Sequence, residues 1–310
     1  METTTYIFSF VISFFLLLVV QKAFLKKNLI DPVNKRSSHN VIATRSGGLS
    51  IYLSIFFVTT YYYLTGVDIY DYSVLVPLSL LLTVGLYDDI FRLDFKLKFI
   101  FQIIAAKILI DYGLIIDNFH GFLGIQNLNR VFAQFFTIFV IVGIINSINF
   151  IDGIDGLAAS IVGLFLVLFE YFSNTQTGLT YLTYIILISL GAFLFFNLRS
   201  NNKVFLGDSG SLFLGGLVSV YVLNILSSEY IIKDAFDINK IIFVISILAY
   251  PFFDITRVFF LRIIKKRSPF IADKNHIHHL ILNKVKNQKV VLAIIFFSSL
   301  LFAIFVQLLK

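Results

Sequence analysis

Long apolar runs constrain this chain more than any other feature of its sequence. The ten runs cover residues 6–20, 49–64, 73–87, 99–110, 131–145, 157–172, 179–196, 212–226, 241–264 and 290–309. Hydrophobic residues fill 58% of the 310 positions, and the mean hydropathy is +0.89. Inside a bilayer the backbone must satisfy its own hydrogen bonds, which favours helices. We therefore expect an all-α polytopic membrane protein with about ten transmembrane helices, forming a single domain over residues 1–310.

Basic residues set the predicted orientation. If ten spans leave both termini outside, about twenty of the 25 Lys and Arg residues fall on the inner side, as the positive-inside rule requires. Lys22, Lys26 and Lys27 follow the first run rather than precede it, so we expect that run to be an uncleaved span. Every polar motif then lies on the inner side. The sequence predicts a multi-pass protein whose functional site faces the cytoplasm.

The composition excludes several classes of site. The chain has no cysteine, which excludes disulfides, thiolate nucleophiles, cysteine zinc sites and iron–sulfur clusters. Its net charge of +7 marks basic cytoplasmic loops rather than nucleic-acid binding, because the chain is so apolar. A basic inner face also suits anionic membrane lipids and phosphorylated substrates. The expected partners are therefore membrane lipids and phosphate-bearing molecules, with no nucleic acid.

Residues 146–158 form a central polar stretch between two apolar runs, Asn-Ser-Ile-Asn-Phe-Ile-Asp-Gly-Ile-Asp-Gly-Leu-Ala. Asp152 and Asp155 are three positions apart and would share one helix face, while Gly153 and Gly156 allow a ligand to approach the backbone. Ionisable groups beside hydrocarbon usually serve a function. We interpret the stretch as the end of one span, a short irregular turn and the start of the next. A plain polar turn between helices is the alternative.

Other ionisable side chains gather on the same predicted face. They are Asp88 and Asp89 after the third run, Asp208 before the eighth, and His276, His278 and His279 before the tenth. Converging carboxylates repel one another, and a divalent cation removes that repulsion. Oxygen ligands suit Mg²⁺ or Mn²⁺ better than zinc, and together with nearby Arg, Lys and Gly-rich turns they indicate phosphoryl transfer. A zinc site at His276 and His279 and a solvated histidine cluster are the alternatives.

The polar loop over residues 31–48 has two interpretations. It is basic, so it would serve as a positive-inside anchor. Its Ser-Ser-His piece, ending at His39, and its Arg-Ser-Gly-Gly piece, starting at Arg45, instead favour a loop that folds onto an anionic ligand. Backbone N–H groups of glycine-rich turns and arginine side chains both bind phosphate.

Four motifs occur in order on the predicted inner face. They are Gly-Leu-Tyr-Asp-Asp at 85–89, the central stretch, Phe-Leu-Gly-Asp-Ser-Gly-Ser at 205–211, and Ser-Pro-Phe followed by His-Ile-His-His within 268–279. Together they resemble the polyprenyl-phosphate N-acetylhexosamine-1-phosphate transferases. The resemblance implies that undecaprenyl phosphate attacks the β-phosphate of a UDP-sugar and releases UMP, with Mg²⁺ required. It also implies a bacterial inner (cytoplasmic) membrane location, with a homodimer as one open assembly state.

The resemblance assigns roles to individual residues. Asp208 and Asp152 would be Mg²⁺ ligands, and Asp88 or Asp89 would deprotonate or position the lipid phosphate. Asn149, Asp152 and Asp155 would line the nucleotide pocket, with Phe205 stacked on uracil. The phosphates or the sugar would be held by Lys98, Arg262, and the catalytic histidines His276, His278 and His279. The loop that carries His39 and Arg45 would contact the sugar.

The donor sugar is less constrained than the reaction. The His-Ile-His-His segment resembles the branch that uses UDP-GlcNAc to start O-antigen or teichoic acid synthesis, whereas the branch that uses UDP-MurNAc-pentapeptide has three consecutive histidines. Another UDP-N-acetylamino sugar remains an alternative. This chain has Ala43-Thr44-Arg45 where many relatives have Pro-Thr-Pro, which leaves the sugar contacts of that loop open.

Two other classes compete with this interpretation. An ion-coupled transporter would place its carboxylates near the bilayer midplane, often in two related halves, and no such halves are present. A CDP-alcohol phosphotransferase also uses Asp-Gly motifs but requires Ala-Arg after one of them. Here Leu157 and Ala158 follow Asp155-Gly156, so that motif fails.

Overall fold

The computed structural model describes residues 2–31, 43–227, 230–233, 236, 239–266 and 275–309. Its α-helices are α1 Glu2–Lys26, α2 Gly47–Leu64, α3 Leu75–Phe91, α4 Phe95–Asp111, α5 Arg130–Ile151, α6 Leu157–Phe172, α7 Thr180–Asn197, α8 Gly207–Leu226, α9 Lys240–Ile247, α10 Ala249–Ile264, α11 Ile277–Val285 and α12 Gln288–Gln307. The strands β1 Ala43–Thr44 and β2 Lys203–Val204 pair in parallel. Two 3₁₀ turns lie at Tyr72–Val74 and Phe122–Gly124.

The helices confirm the prediction of an all-α polytopic membrane protein. Among the described residues, six helices are long and apolar enough to cross a membrane, namely α1, α3 together with the 3₁₀ turn that precedes it (Tyr72–Phe91, 20 residues), α5, α7, α8 and α12, and the bent pair α9–α10 would make a seventh. All ten apolar runs are helical, yet length and composition do not support ten spans. Helices α4 and α6 have only 17 and 16 residues, and the four tyrosines of α2 lower its hydropathy.

The ninth apolar run is bent by 80° between α9 and α10. Pro251 lies in the first turn of α10, and its missing N–H cannot bond to the carbonyl of Ile247, where α9 ends. The hydrogen bond missing at Pro251 accounts for a bend at this point of the run. Beyond the bend, α10 buries Asp254 and Arg262 on one side and exposes phenylalanines on its other sides.

Helix α8 is the centre of the bundle, and it positions the polar site. All but one of its residues from Ser209 to Leu226 are buried, with α3 and α5 packed along it. A Cβ on Gly215 would lie only 2.6 Å from Cα of Ile145 in α5, so glycine is needed for this close approach of the two backbones. The packing brings the start of α8 beside the ends of α3 and α5.

Polar side chains join helices within the apolar interior. Ser13 of α1 bonds to Ser189 of α7 at 2.9 Å, and Thr183 of α7 bonds to Tyr221 of α8 at 2.9 Å. Such pairs contribute about 1 kcal/mol each between membrane helices. At the far end of α8, the imidazole of His120 bonds to the carbonyl of Leu226 at 2.7 Å. These contacts hold the helices together in parts of the bundle distant from the site. They therefore help to fix the positions of the helix ends that form the site.

Candidate active site

Four aspartates from three helix ends form the carboxylate cluster of this protein. Asp88 and Asp89 lie in the last turn of α3, Asp152 directly follows α5, and Asp208 lies in the first turn of α8. The sequence predicted this convergence from the motifs, and the structure brings these four together with Lys98 and Asn149. The predicted irregular turn is also present, since α5 ends at Ile151 and α6 begins at Leu157.

Asp89 caps the start of α8. Its two carboxylate oxygens accept the backbone N–H groups of Asp208 at 2.9 Å and Ser209 at 3.0 Å, and its side chain is only 2% exposed. A Cβ on Gly207, which has a φ of +74°, would lie 2.5 Å from the Asp89 carboxylate. Helix N-termini favour a carboxylate because their first N–H groups lack partners within the helix. Asp89 therefore holds the segment that carries Asp208.

Lys98 bridges two members of the cluster. Its ammonium group donates to Asp208 at 2.6 Å and pairs with Asp88 at 2.5 Å. The other oxygen of Asp88 accepts the backbone N–H of Leu93 at 2.5 Å. Asp88 and Asp208 thus share one cation, which holds the two carboxylates close together. Asp88 and Asp89, although adjacent in sequence, serve different partners.

Asn149 and Asp152 complete the side of the site that α5 provides. The Asn149 amide donates to Asp208 at 3.3 Å and to the hydroxyl of Ser211 at 2.7 Å. Burial, together with the negative charges of Asp208 and Asp89, raises the pKa of Asp152 to about 8. Asp152 is therefore mostly protonated at neutral pH until a cation offsets those charges.

Asp155 lies at the edge of the cluster and has its own partners. Its carboxylate forms an ion pair with Lys203 of β2, and its backbone N–H donates to Gln288 of α12 at 3.2 Å. Phe205, which follows β2, donates its backbone N–H to Thr44 at 2.8 Å. These contacts tie the central stretch to the β1–β2 sheet. The roles predicted for Asp155 and Phe205 in nucleotide binding stay predictions.

The histidine segment, residues 275–279, lies against the central stretch. His276 is buried, its ring lies 5.5 Å from that of Phe150, and its Nδ1 bonds to Asp254 at 2.7 Å. His278 is buried and bonds through Nδ1 to the hydroxyl of Tyr250 at 3.1 Å. Burial and the neighbouring His279 and His276 lower the pKa of His278 to about 3, so this imidazole is neutral at physiological pH.

The remaining predicted site residues are placed as follows. The Arg45 guanidinium is 41% exposed and pairs with Asp31 at 2.6 Å and Asp89 at 3.5 Å. Arg262 is buried on α10, about two turns beyond Asp254. His39 lies outside the described residues. The role assigned to each of these three residues stays a prediction.

Sequence reasoning missed several residues that shape the site. Asp254, Ser211, Lys203 and Gln288 contact predicted site residues from distant parts of the chain. The signal for Asp254 was a lone carboxylate within an apolar run, which usually marks function. Ser211 lies inside the motif at 205–211, but the motif does not show which residue its hydroxyl contacts. Lys203 and Gln288 are ordinary polar residues in a short strand and at a helix start, and their sequence context carries no comparable signal.

Fold and site together define a multi-pass, all-helical membrane protein with acidic side chains converging at one end of its bundle. Residues 72–226 match the sequence model of glycosyl transferase family 4. The chain belongs to this family, which confirms the resemblance found in its motifs. The matched region contains the carboxylate cluster, Lys98, Asn149 and Phe205, whereas the histidine segment lies beyond it.

Individual relatives extend over most of the chain. A Bacillus subtilis protein named "probable undecaprenyl-phosphate N-acetylglucosaminyl 1-phosphate transferase" is 30% identical over 306 residues, which cover 94% of this chain and 80% of the relative. An undecaprenyl-phosphate alpha-N-acetylglucosaminyl 1-phosphate transferase of Thermotoga maritima is 29% identical, covering 93% of this chain and 84% of the relative. The enzyme of the same name from Yersinia pestis is 26% identical, covering 90% and 76%.

Proposed function

We propose that this protein transfers N-acetylglucosamine 1-phosphate from UDP-GlcNAc to undecaprenyl phosphate and releases UMP. The reaction would be the first membrane step of cell-surface polysaccharide synthesis. One observation carries the proposal: Asp88 and Asp208, from the ends of two different helices, share Lys98 in one small space. The choice of sugar and lipid rests on the names of the relatives, and another UDP-N-acetylamino sugar is the alternative donor.

The donor set suits Mg²⁺. Within the described residues, Asp88, Asp89, Asp152 and Asp208 outnumber the two cations that pair with members of the cluster, Lys98 and Arg45. No group of three or more acidic or histidine side chains has metal-binding geometry within the described part of the chain. Mg²⁺ usually takes one or two carboxylates and completes its shell with water and substrate phosphates. Asp208 and Asp152 would hold the ion, which when bound neutralises charge on the donor diphosphate. Mn²⁺ would fit the same oxygen ligands.

The two adjacent aspartates receive different roles in this proposal. Asp89 uses both oxygens to accept backbone N–H groups of α8, so it positions Asp208. Asp88 keeps one oxygen in the space shared with Lys98 and Asp208, where it would accept the proton of the lipid phosphate or orient that phosphate. Lys98 would then turn to the phosphates of the donor, and Asn149 would hold Asp208 in place.

The membrane arrangement agrees with this chemistry. We propose ten spanning segments with both termini outside, in which α2, α4 and α6 cross despite their modest length or hydropathy. The carboxylate cluster then lies at the cytoplasmic water–lipid boundary of a bacterial inner membrane. A lipid phosphate sits at that level and UDP-sugars dissolve on that side, so the reactants meet without either crossing the bilayer. A transporter would need its carboxylates deeper, whereas these four lie at helix ends.

Isotope exchange between labelled UMP and UDP-sugars tests the proposal. The purified protein in detergent would receive undecaprenyl phosphate, Mg²⁺ and one donor at a time from UDP-GlcNAc, UDP-GalNAc and UDP-MurNAc-pentapeptide. We expect exchange with UDP-GlcNAc that depends on both the lipid and the metal ion. Exchange with a different donor alone would correct the sugar, and absence of exchange with every donor would overturn the transferase proposal.

A further inference from the structure

A buried carboxylate on α10 fastens the histidine segment. Asp254 is fully buried, and its Oδ2 bonds to Nδ1 of His276 at 2.7 Å. Its Oδ1 accepts the backbone N–H of Ile277 at 2.8 Å and a guanidinium N–H of Arg257 at 3.1 Å. Both oxygens therefore have partners, and two of these three described donors belong to the histidine segment. A buried charge is retained at such a cost in desolvation only where it is well paired.

The bond between Asp254 and Nδ1 determines which ring nitrogen of His276 is available to a ligand. A carboxylate that binds one ring nitrogen fixes both the orientation of the imidazole and the nitrogen that carries the proton. The other ring nitrogen, Nε2, has no hydrogen-bond partner among the residues that the structure describes. The ring lies beside Phe150, two residues before Asp152 of the carboxylate cluster. The His276 ring therefore lies beside the end of α5 that precedes Asp152, and Nε2 is the nitrogen left open to a ligand.

Asp254 also replaces a missing helix cap. His276 is the N-cap residue of α11, yet its side chain makes no cap bond to the helix. The Asp254 carboxylate accepts the first N–H of that helix in its place. Arg257 donates to the carbonyl of Asn275 as well, so residues on both sides of His276 are tied to α10. The imidazole is thus held through its ring and through its backbone.

His278 provides a contrast within the same segment. It is completely buried, its Nδ1 meets Tyr250, and its Nε2 lies against Gly153 of the central stretch. A Cβ on Gly153 would collide with that nitrogen. His278 therefore docks the segment onto the turn between α5 and α6, whereas His276 is the ring that is aimed by a charged partner.

We propose that Asp254 is a positioning residue for His276, holding Nδ1 so that Nε2 contacts the diphosphate of the nucleotide sugar. The inference rests on the proposed function, because it takes the nucleotide sugar as the ligand of the site. Asp254 touches no substrate in this arrangement, and all of its effect on turnover passes through His276. Arg257 supports the same carboxylate from within α10.

A double-mutant cycle tests this claim. We would measure kcat and KM for UDP-GlcNAc in the parent, Asp254→Asn, His276→Gln and the double variant, with Thr256→Ala as the control on α10. Asp254→Asn should lower kcat/KM by roughly 10- to 100-fold in the parent, mainly through kcat. In the His276→Gln background the same change should alter kcat/KM by no more than about twofold, because residues that act through one group are not additive. Thr256→Ala should resemble the parent.

Three outcomes would count against the proposal or its basis. An equal loss from Asp254→Asn in both backgrounds would mean a purely structural role, and no loss in an active parent would remove the role altogether. If Asp254→Asn does not yield folded protein, Arg257→Lys carries the test in both backgrounds, with an expected loss of roughly threefold or more confined to the parent. A parent that releases no UMP would instead overturn the proposed function.

Discussion

The carboxylate cluster and the histidine segment lie at the same site but are held in place by different kinds of contact. The cluster lies where α3, α5 and α8 end around the buried centre of the bundle, and its members brace one another through Lys98 and two helix N–H groups. The histidine segment packs against α10, which follows the 80° bend after α9. It is held there by hydrogen bonds to Asp254, Arg257 and Tyr250. The carboxylate cluster is therefore held by the packing of three helices, whereas the histidine segment, to which we assign substrate contact, is held by separate hydrogen bonds to α10.

The largest expected effect separates two adjacent residues of the cluster. Asp88→Asn should lower kcat by roughly a thousandfold or more with little change in melting temperature, because it removes a carboxylate that faces the reactants. Asp89→Asn should instead destabilise the fold by about 1–2 kcal/mol, since an amide has one acceptor oxygen for the two N–H groups of α8. UMP-release kinetics and thermal melting in detergent measure the two quantities.

The opposite pattern would break this assignment. If Asp89→Asn kept the parent melting temperature and lost all turnover while Asp88→Asn stayed active, Asp89 would be the reacting carboxylate. Asp111→Asn serves as the control, because that side chain is 60% exposed and pairs with Lys107 in α4. It should change neither quantity.

The next effect concerns the contact between the two regions. Gly153→Ala places a methyl group against Nε2 of His278 and should push the histidine segment off the central stretch. We expect a loss of about 1–3 kcal/mol in stability, as for other overpacked sites, and roughly tenfold in kcat/KM. Gly163→Ala is the matched control, since a Cβ there meets nothing closer than 3.9 Å. Equal behaviour of the two variants would mean that the docking contact is unimportant.

The Mg²⁺ concentration needed for activity should depend on pH because of the carboxylate cluster, without a contribution from the histidine segment. The pKa of Asp152 is raised to about 8, so below that pH a proton competes with Mg²⁺ for this carboxylate. The half-saturating Mg²⁺ concentration should rise up to about tenfold per unit as pH falls from 8 to 6 and should level off above pH 8. Asp152→Asn should flatten this dependence. An unchanged slope in that variant would remove Asp152 from the metal site.

The smallest effect tests the edge of the cluster. Lys203→Gln leaves Asp155 without its ion-pair partner and should cost about 1–3 kcal/mol in stability, with only a few-fold change in kcat. Asp155→Asn should raise KM for UDP-GlcNAc beyond the effect of Lys203→Gln if Asp155 also contacts the nucleotide. Equal KM values in the two variants would assign Asp155 to structure alone.

The sequence predicted the helices well because a long apolar run favours a helix through its own local hydrogen bonds. All ten runs are helical, and the irregular turn after Ile151 and the bend near Pro251 appear where local chemistry requires them. The count of spans was less secure, because α2, α4 and α6 lie near the limits of length and hydropathy. The local sequence pattern identifies a helix, but whether that helix crosses the membrane also depends on the helices packed against it.

Pairing within the site could not be predicted from the sequence. The bond between Asp89 and the α8 N-terminus joins residues 119 positions apart, and the Asp155–Lys203 pair joins residues 48 apart. Such pairs depend on how the helices pack, and the motif Asp88-Asp89 carries no sign of which member faces α8. The motifs predicted which residues meet, and the three-dimensional packing decides what each of them does.

UMP release by purified Asp208→Asn is the most direct test of the whole account. The variant would be assayed with UDP-GlcNAc, undecaprenyl phosphate and Mg²⁺ beside the parent and Asp111→Asn, after thermal melting shows that all three are folded. We expect Asp208→Asn to release no UMP above background, because it lacks the carboxylate that pairs with Lys98 and is proposed to hold the metal ion. Release at the parent rate would contradict the claim that the four aspartates form a single metal-dependent transfer site.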